Sequence, residues 1–159
     1  MMKWQKRLLL GGFITVLVLT GGCTSNRSSV ASHPYVDDTG QQLVILSRDL
    51  VGSPYRYGGQ SPNGFDCSGL VRYVYGQVGI TVPHSSQLLY KNAQKVDLDN
   101  IRPGDLLFFR VSKEKISHVG IYTTNGEFIH APSSGKYVTV ARLDNPYWEQ
   151  RLVGAGRFH

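Results

Sequence analysis

The sequence predicts an α+β fold in which N-terminal helices pack on one face of a central antiparallel sheet of about five strands. Three observations lead there. Segments with helical spacing of apolar residues come first, extended segments follow, and the change falls at Pro103-Gly104-Asp105. The length, 159 residues, suits a single core with a single active site.

A first helix is expected from Thr39, where Thr39 and Gln42 make a capping box. Leu43, Leu46 and Leu50 then share a face, and Gly52 ends the helix. A Gly/Pro-rich loop runs from Gly52 to Gly64. The second helix starts near Cys67, turns Leu70, Val71, Val74 and Val78 inward, and stops at Gly79. A shorter third helix follows Pro83, with Ser85-Ser86 at its cap. The strand candidates are Leu106 to Arg110, His118 to Thr123, Glu127 to Ala131, Tyr137 to Ala141 and Leu152 to Phe158. No internal repeat is visible.

Residues 1–22 have the layout of a secretory leader: Lys3, Lys6 and Arg7, an apolar run from Leu8 to Leu19, then small residues before Cys23. The run is shorter than the ~20 apolar residues of a membrane-spanning helix, so export is expected rather than a permanent span. Leu19-Thr20-Gly21-Gly22-Cys23 resembles the lipobox of bacterial lipoproteins, in which the cysteine is acylated and becomes the mature N-terminus. Here the aliphatic residue stands one place early, with Thr20 in its usual position. By that resemblance Thr24 implies sorting to the outer membrane, facing the periplasm. Residues 23–36 are small and polar and read as a tether, which leaves 37–159 as the folded domain.

The net charge of +6 includes the three basic residues of the leader, and the other cations are scattered singly. No basic block of the kind that grips nucleic acid is present, so no nucleic-acid partner is expected. The chain has two cysteines. With Cys23 acylated, Cys67 has no internal partner and is expected as a free, reactive thiol. Its alternative role is that of a small buried hydrophobe.

Cys67 lies in Phe65-Asp66-Cys67-Ser68-Gly69, where a loop turns into an apolar helix. Unpaired N–H groups at a helix start favour a thiolate and can donate to a developing oxyanion. Asp66 either caps this helix or meets a cationic group on a substrate. A thiol attacking an amide needs a base, and His118 opens a strand in which His118, Gly120 and Tyr122 share a face. A two-residue turn at Asn125-Gly126 would put His130 opposite Ile121, on the other face. A three-residue loop, Thr124 to Gly126 with Gly126 left-handed, puts it opposite Gly120 and diagonal to His118. The three-residue register is expected, with Gly120 leaving room for an imidazole and His130 orienting His118.

A zinc site from Cys67, His118, His130 and His84 is the competing chemistry, but no closely spaced ligand pair supports it. Gly58-Gly59 lacks the following Lys-Ser/Thr of a phosphate loop. No metal or other cofactor is expected.

From about Gln41 to Phe158 the chain resembles the NlpC-type peptidoglycan endopeptidases, papain-like cysteine peptidases of bacterial cell walls. The resemblance rests on Gly52-Ser53-Pro54-Tyr55-Arg56-Tyr57-Gly58-Gly59, Phe65-Asp66-Cys67-Ser68-Gly69-Leu70-Val71, Arg102-Pro103-Gly104-Asp105-Leu106-Leu107-Phe108-Phe109, His118-Val119-Gly120-Ile121-Tyr122 and Phe128-Ile129-His130-Ala131. It implies a papain-like domain with Cys67 as nucleophile, His118 as base and His130 as the orienting residue. It also implies that Tyr55, Asp66 and Ser68 line the subsite beside the nucleophile, with Asp66 near the free amine of a peptidoglycan stem peptide. The bond implied is D-γ-glutamyl-meso-diaminopimelate, or the cross-link between stems. Pro83-His84-Ser85-Ser86 stands where many members have Pro-Arg followed by two hydroxyl residues, a difference that bears on selectivity. Two other functions fit the same residues: a murein-binding lipoprotein that does not cut, and an amidase or acyltransferase on the same scaffold. Nothing resembles a heptad or an oligomer interface, and a monomer is expected.

Overall fold

The computed structural model describes residues 38–112 and 114–159. The expected leader, the expected acylation site Cys23 and the expected tether lie outside the described residues. Among the described residues no helix is long and apolar enough to cross a membrane.

Helix α1 (Asp38–Asp49) begins one residue before Thr39, which therefore lies inside the first turn and not at the cap. It buries Leu43 and Val44, and its buried Ser47 donates to the Leu43 carbonyl (2.6 Å). Gly40 is required where α1 docks, because a Cβ there would collide with the Pro103 carbonyl oxygen. A two-stranded ribbon follows, β1 (Gln60–Ser61) with β2 (Gly64–Phe65). Helix α2 (Cys67–Gln77) buries Leu70, Val71, Val74 and Tyr75. Gly79, at φ +80°, reverses the chain so that the Ile80 N–H returns to the Tyr75 carbonyl. Helix α3 (Ser86–Asn92) is capped by Ser85, as its sequence suggests.

Among the described residues the main sheet has six strands in the order β3-β8-β4-β5-β6-β7, all pairs antiparallel. These are β3 (Gln94–Val96), β4 (Leu106–Phe109), β5 (His118–Tyr122), β6 (Glu127–His130), β7 (Thr139–Arg142) and β8 (Leu152–Arg157). Five match the expected strands. The sixth, β3, is a short polar edge strand paired to the end of β8. All four residues of β4 are buried, because this central strand is covered on both sides. Leu106 and Phe108 join Val119, Ile121 and Ile129 in the core that receives Leu70 and Val74 of α2. Leu107 and Phe109 join Phe128 and Ala155 in a smaller cluster on the other side, closed by Trp148. Trp148 sits on the short helix α4 (Pro146–Glu149), which Asn145 caps.

The hairpin between β5 and β6 pairs Ile121 with Ile129 and Tyr122 with Phe128. This is the three-residue register expected from the histidines. Asn125 (φ +51°) and Gly126 (φ +76°) are both left-handed, so the turn uses one more left-handed residue than anticipated. The space at Gly120 goes to a different neighbour: a Cβ there would lie 2.5 Å from Cδ2 of Phe128. The glycine makes room for the Phe128 ring and not for an imidazole.

Candidate active site

Cys67 is the first residue of α2 and a free thiol. The loop ahead of it is held by Asp66, the helix cap, whose Oδ1 accepts from Gly69 N–H (2.7 Å), Ser68 Oγ (3.2 Å) and His84 Nε2 (2.9 Å). Its Oδ2 accepts from Gly58 N–H (2.9 Å). Gly59 and Gly69 meet so closely that a Cβ on Gly69 would overlap the Gly59 carbonyl oxygen. One carboxylate thus fastens the Gly-rich loop, the helix start and His84 around the thiol. Both readings of Asp66 remain compatible with this geometry, but its capping bond is explicit. Tyr55 lies within electrostatic reach of both Cys67 and Asp66, and Ser68 is buried.

The thiol is reached by backbone N–H groups of Val119, Ser68 and Cys67, which favour its anion. Burial and the nearby Asp66 charge outweigh them and push the Cys67 thiol up to about 11. The expectation that the helix start would lower it is therefore not met: the residue that caps the helix also brings a negative charge. The resting thiol is protonated.

Val119 follows His118 in β5, so the thiol lies one peptide unit from this histidine in the strand. His118 and His130 are both buried, and His118 Nε2 is 2.9 Å from His130 Nδ1. The rings meet edge to face, with centroids 5.0 Å apart. Trp148 stacks on His118 (5.3 Å, 25°) and meets His130 edge-on (4.8 Å, 80°). Burial pushes His118 down to about 4. Burial first, then the charges of His118 and Lys136, push His130 down to about 3. Both rings are neutral at neutral pH. His84 points elsewhere, to Asp66, and among the described residues no group of three or more His, Cys, Asp or Glu could hold a metal ion.

A cleft of about 500 Å³ opens beside the histidine pair, with Lys136, Asn145, Tyr147 and Trp148 also in its wall. Residues 52–157 match the NlpC/P60 family. The chain belongs to the NlpC/P60 family. It is 45% identical over 132 residues to the "Gamma-DL-glutamyl hydrolase" of Bacillus subtilis, covering 81% of this chain and 31% of that protein. It is 41% identical over 112 residues to the "Murein DD-endopeptidase MepH" of Escherichia coli, covering 67% of this chain and 41% of that protein. An NlpC/P60 family protein from Bacillus cereus superposes with a TM-score of 0.71 at 33% identity, over 75% of this chain and 40% of that one. The NlpC/p60 domain of the peptidoglycan hydrolase SagA gives 0.66 at 33% identity, over 75% of this chain and 98% of that one. The chain thus spans less than half the length of these two relatives.

Two residues of this NlpC/P60 domain escaped the motif reading. Trp148 covers both histidines, and the only signal for it was an aromatic pair after Asn145-Pro146, a cap followed by a helix-starting proline. Lys136 enters the same cleft from the segment before β7. Removing the indole should rehydrate the imidazoles. In an NMR titration, His118 of the Trp148→Ala variant is expected to protonate at least about one unit higher than in the wild type, and Trp148→Phe should restore most of the difference. An unchanged titration would refute this role. The linkage has a definite sign. A histidine held below its ordinary 6.5 contributes stability that is present above that pH and is lost as pH falls towards 4. For His118 this amounts to about 3 kcal/mol.

Proposed function

We propose that this protein is a cysteine peptidase that hydrolyses amide bonds in peptidoglycan stem peptides. The observation that carries the reading is the His118–His130 hydrogen bond, which commits His118 Nε2 and leaves Nδ1 as the ring nitrogen for base chemistry. His118 must then carry its proton on Nε2 and His130 must accept it on Nδ1. That tautomer lets His118 Nδ1 take a proton, while His130 holds the ring in place.

With a protonated thiol and a neutral base, attack and proton transfer proceed together. Cys67 Sγ bonds to the scissile carbonyl carbon as its proton passes to His118. Backbone N–H groups at the start of α2 receive the oxyanion. The C–N bond breaks, His118 returns the proton to the leaving amine, and water then hydrolyses the thioester. Asp66 and Tyr55, with Ser68, lie on the acyl side of this centre, where a carboxylate suits the free amine of a stem peptide. No step requires a metal or an organic cofactor.

One relative is named a gamma-DL-glutamyl hydrolase and the other a murein DD-endopeptidase, which supports two candidate bonds here, D-γ-glutamyl-meso-diaminopimelate and the cross-link between stems. Incubating the full-length protein with defined monomeric and cross-linked muropeptides, and weighing the products by mass spectrometry, decides between them. Fragments that match either cleavage support the peptidase and name its bond. Binding without fragments would replace it with the murein-binding lipoprotein, and transfer to an added amine with the acyltransferase.

The leader and lipobox-like segment support an exported protein anchored through acylated Cys23, facing the periplasm from the outer membrane. Mass spectrometry of the protein isolated from membranes should then find a mature N-terminus at an acylated Cys23. An unmodified N-terminus would contradict the anchor.

A further inference from the structure

Lys136 stands in the wall of the cleft that also contains His118 and His130. Its backbone is held at both ends, its N–H donating to the Ser133 carbonyl (3.2 Å) and its carbonyl accepting from Tyr55 N–H (2.8 Å). Its charge reaches His130. Among the described residues no carboxylate lies within ion-pair distance of its ammonium. Among the described residues the cleft wall contains no Asp or Glu; its other polar groups include Ser133, Thr139 and Asn145. An exposed cation on a backbone held at both ends, in a wall without acids, suits an anion.

Which half of a substrate meets this cleft follows from the chemistry. The base that protonates the leaving amine must touch it, and His118 is in the cleft wall. Cys67 is not part of this wall, and neither are Asp66 and Tyr55, whose charges reach the thiol, so His118 is the residue that the cleft and the thiol side share. The two sides of the reacting centre therefore carry opposite charges. We propose that the cleft binds the leaving half of the peptide and that Lys136 pairs with a carboxylate on it, so that free-acid substrates are selected over amidated ones. The inference rests on the peptidase reading.

The test uses the full-length protein and two muropeptides that differ only in whether the leaving-half carboxylate is free or amidated. Turnover is measured beside binding of the two corresponding leaving fragments to the Cys67→Ala protein. The wild type should favour the free acid by about tenfold in kcat/KM, mostly through KM, the weight of one charge-assisted hydrogen bond. In Lys136→Ala the ratio should fall to near one, in Lys136→Glu below one, and in Lys136→Arg it should persist. Fragment binding should follow the same order. Turnover with a ratio that ignores Lys136 overturns the cleft assignment and keeps the peptidase. No turnover, with fragment binding that still depends on Lys136, overturns the peptidase and keeps the cleft. Loss of both overturns both.

Discussion

Replacing His118 with alanine is expected to lower kcat by at least ~10⁴-fold, whereas His130→Ala should cost nearer ~10²-fold. The difference follows from the positions of the two rings. His118 is the histidine whose strand neighbour, Val119, reaches the Cys67 thiol, and its remaining nitrogen is the one available for the proton. Since burial holds the thiol up at about 11, little thiolate exists to react unaided, so in the proposed mechanism loss of the base removes the route to the nucleophile. In the proposed mechanism His130 acts through His118, and a glutamine can reproduce an acceptor. His130→Gln should therefore recover part of the loss, and His118→Gln should not. Steady-state rates on one muropeptide, with thermal unfolding to show that each variant folds, check this. Equal losses for the two alanine variants would contradict the assignment of base and orienting residue.

The largest stability effect is expected far from the thiol, at Asp105. This carboxylate is fully buried and receives Arg157 at both oxygens, Nε at 2.6 Å and Nη2 at 2.7 Å, and Arg102 N–H at 2.8 Å. The same turn is held by Tyr75 Oη, which donates to the Gly104 carbonyl at 2.5 Å, and by the Tyr122 N–H on the Asp105 carbonyl at 2.7 Å. Asp105 thus ties the turn before β4 to the end of β8, and Gly104 beside it ties the same turn to α2. Arg157→Met leaves a buried charge without its partner, and a loss of about 3–5 kcal/mol is expected. Much of this should return in Asp105→Leu with Arg157→Met, where no charge remains buried. Denaturant unfolding measures both, and a loss below about 1 kcal/mol for the single variant would show that water replaces the arginine.

The Arg102-Pro103-Gly104-Asp105 motif therefore marks a structural joint, although the resemblance alone placed it among the family's signatures. The central strands were legible because Leu106 to Phe109 and His118 to Tyr122 are long enough and apolar enough to show their pattern. The edge strand Gln94–Val96 was not, since three largely polar residues carry no period and pair only because β8 runs past them. The hairpin register was accessible from chemistry, as only a three-residue loop sets both histidines on one face. What sequence spacing could not supply was the environment. Trp148 reaches the histidines across the sheet from a four-residue helix. The Phe128 ring, not an imidazole, takes the space at Gly120. The raised Cys67 likewise depends on burial and on the sign of the charge at its cap, neither of which follows from its place at a helix start.

The central claim is that Cys67 is the nucleophile of a peptide hydrolase, and the most direct measurement is stoichiometric trapping of the intact protein. A stem-peptide analogue carrying a thiol-directed electrophile at the scissile position is titrated into the full-length chain, and the modified residue is mapped by mass spectrometry as muropeptide hydrolysis is followed. One equivalent on Cys67, with hydrolysis falling in proportion, is the predicted result. Hydrolysis that survives complete modification of Cys67 would contradict it.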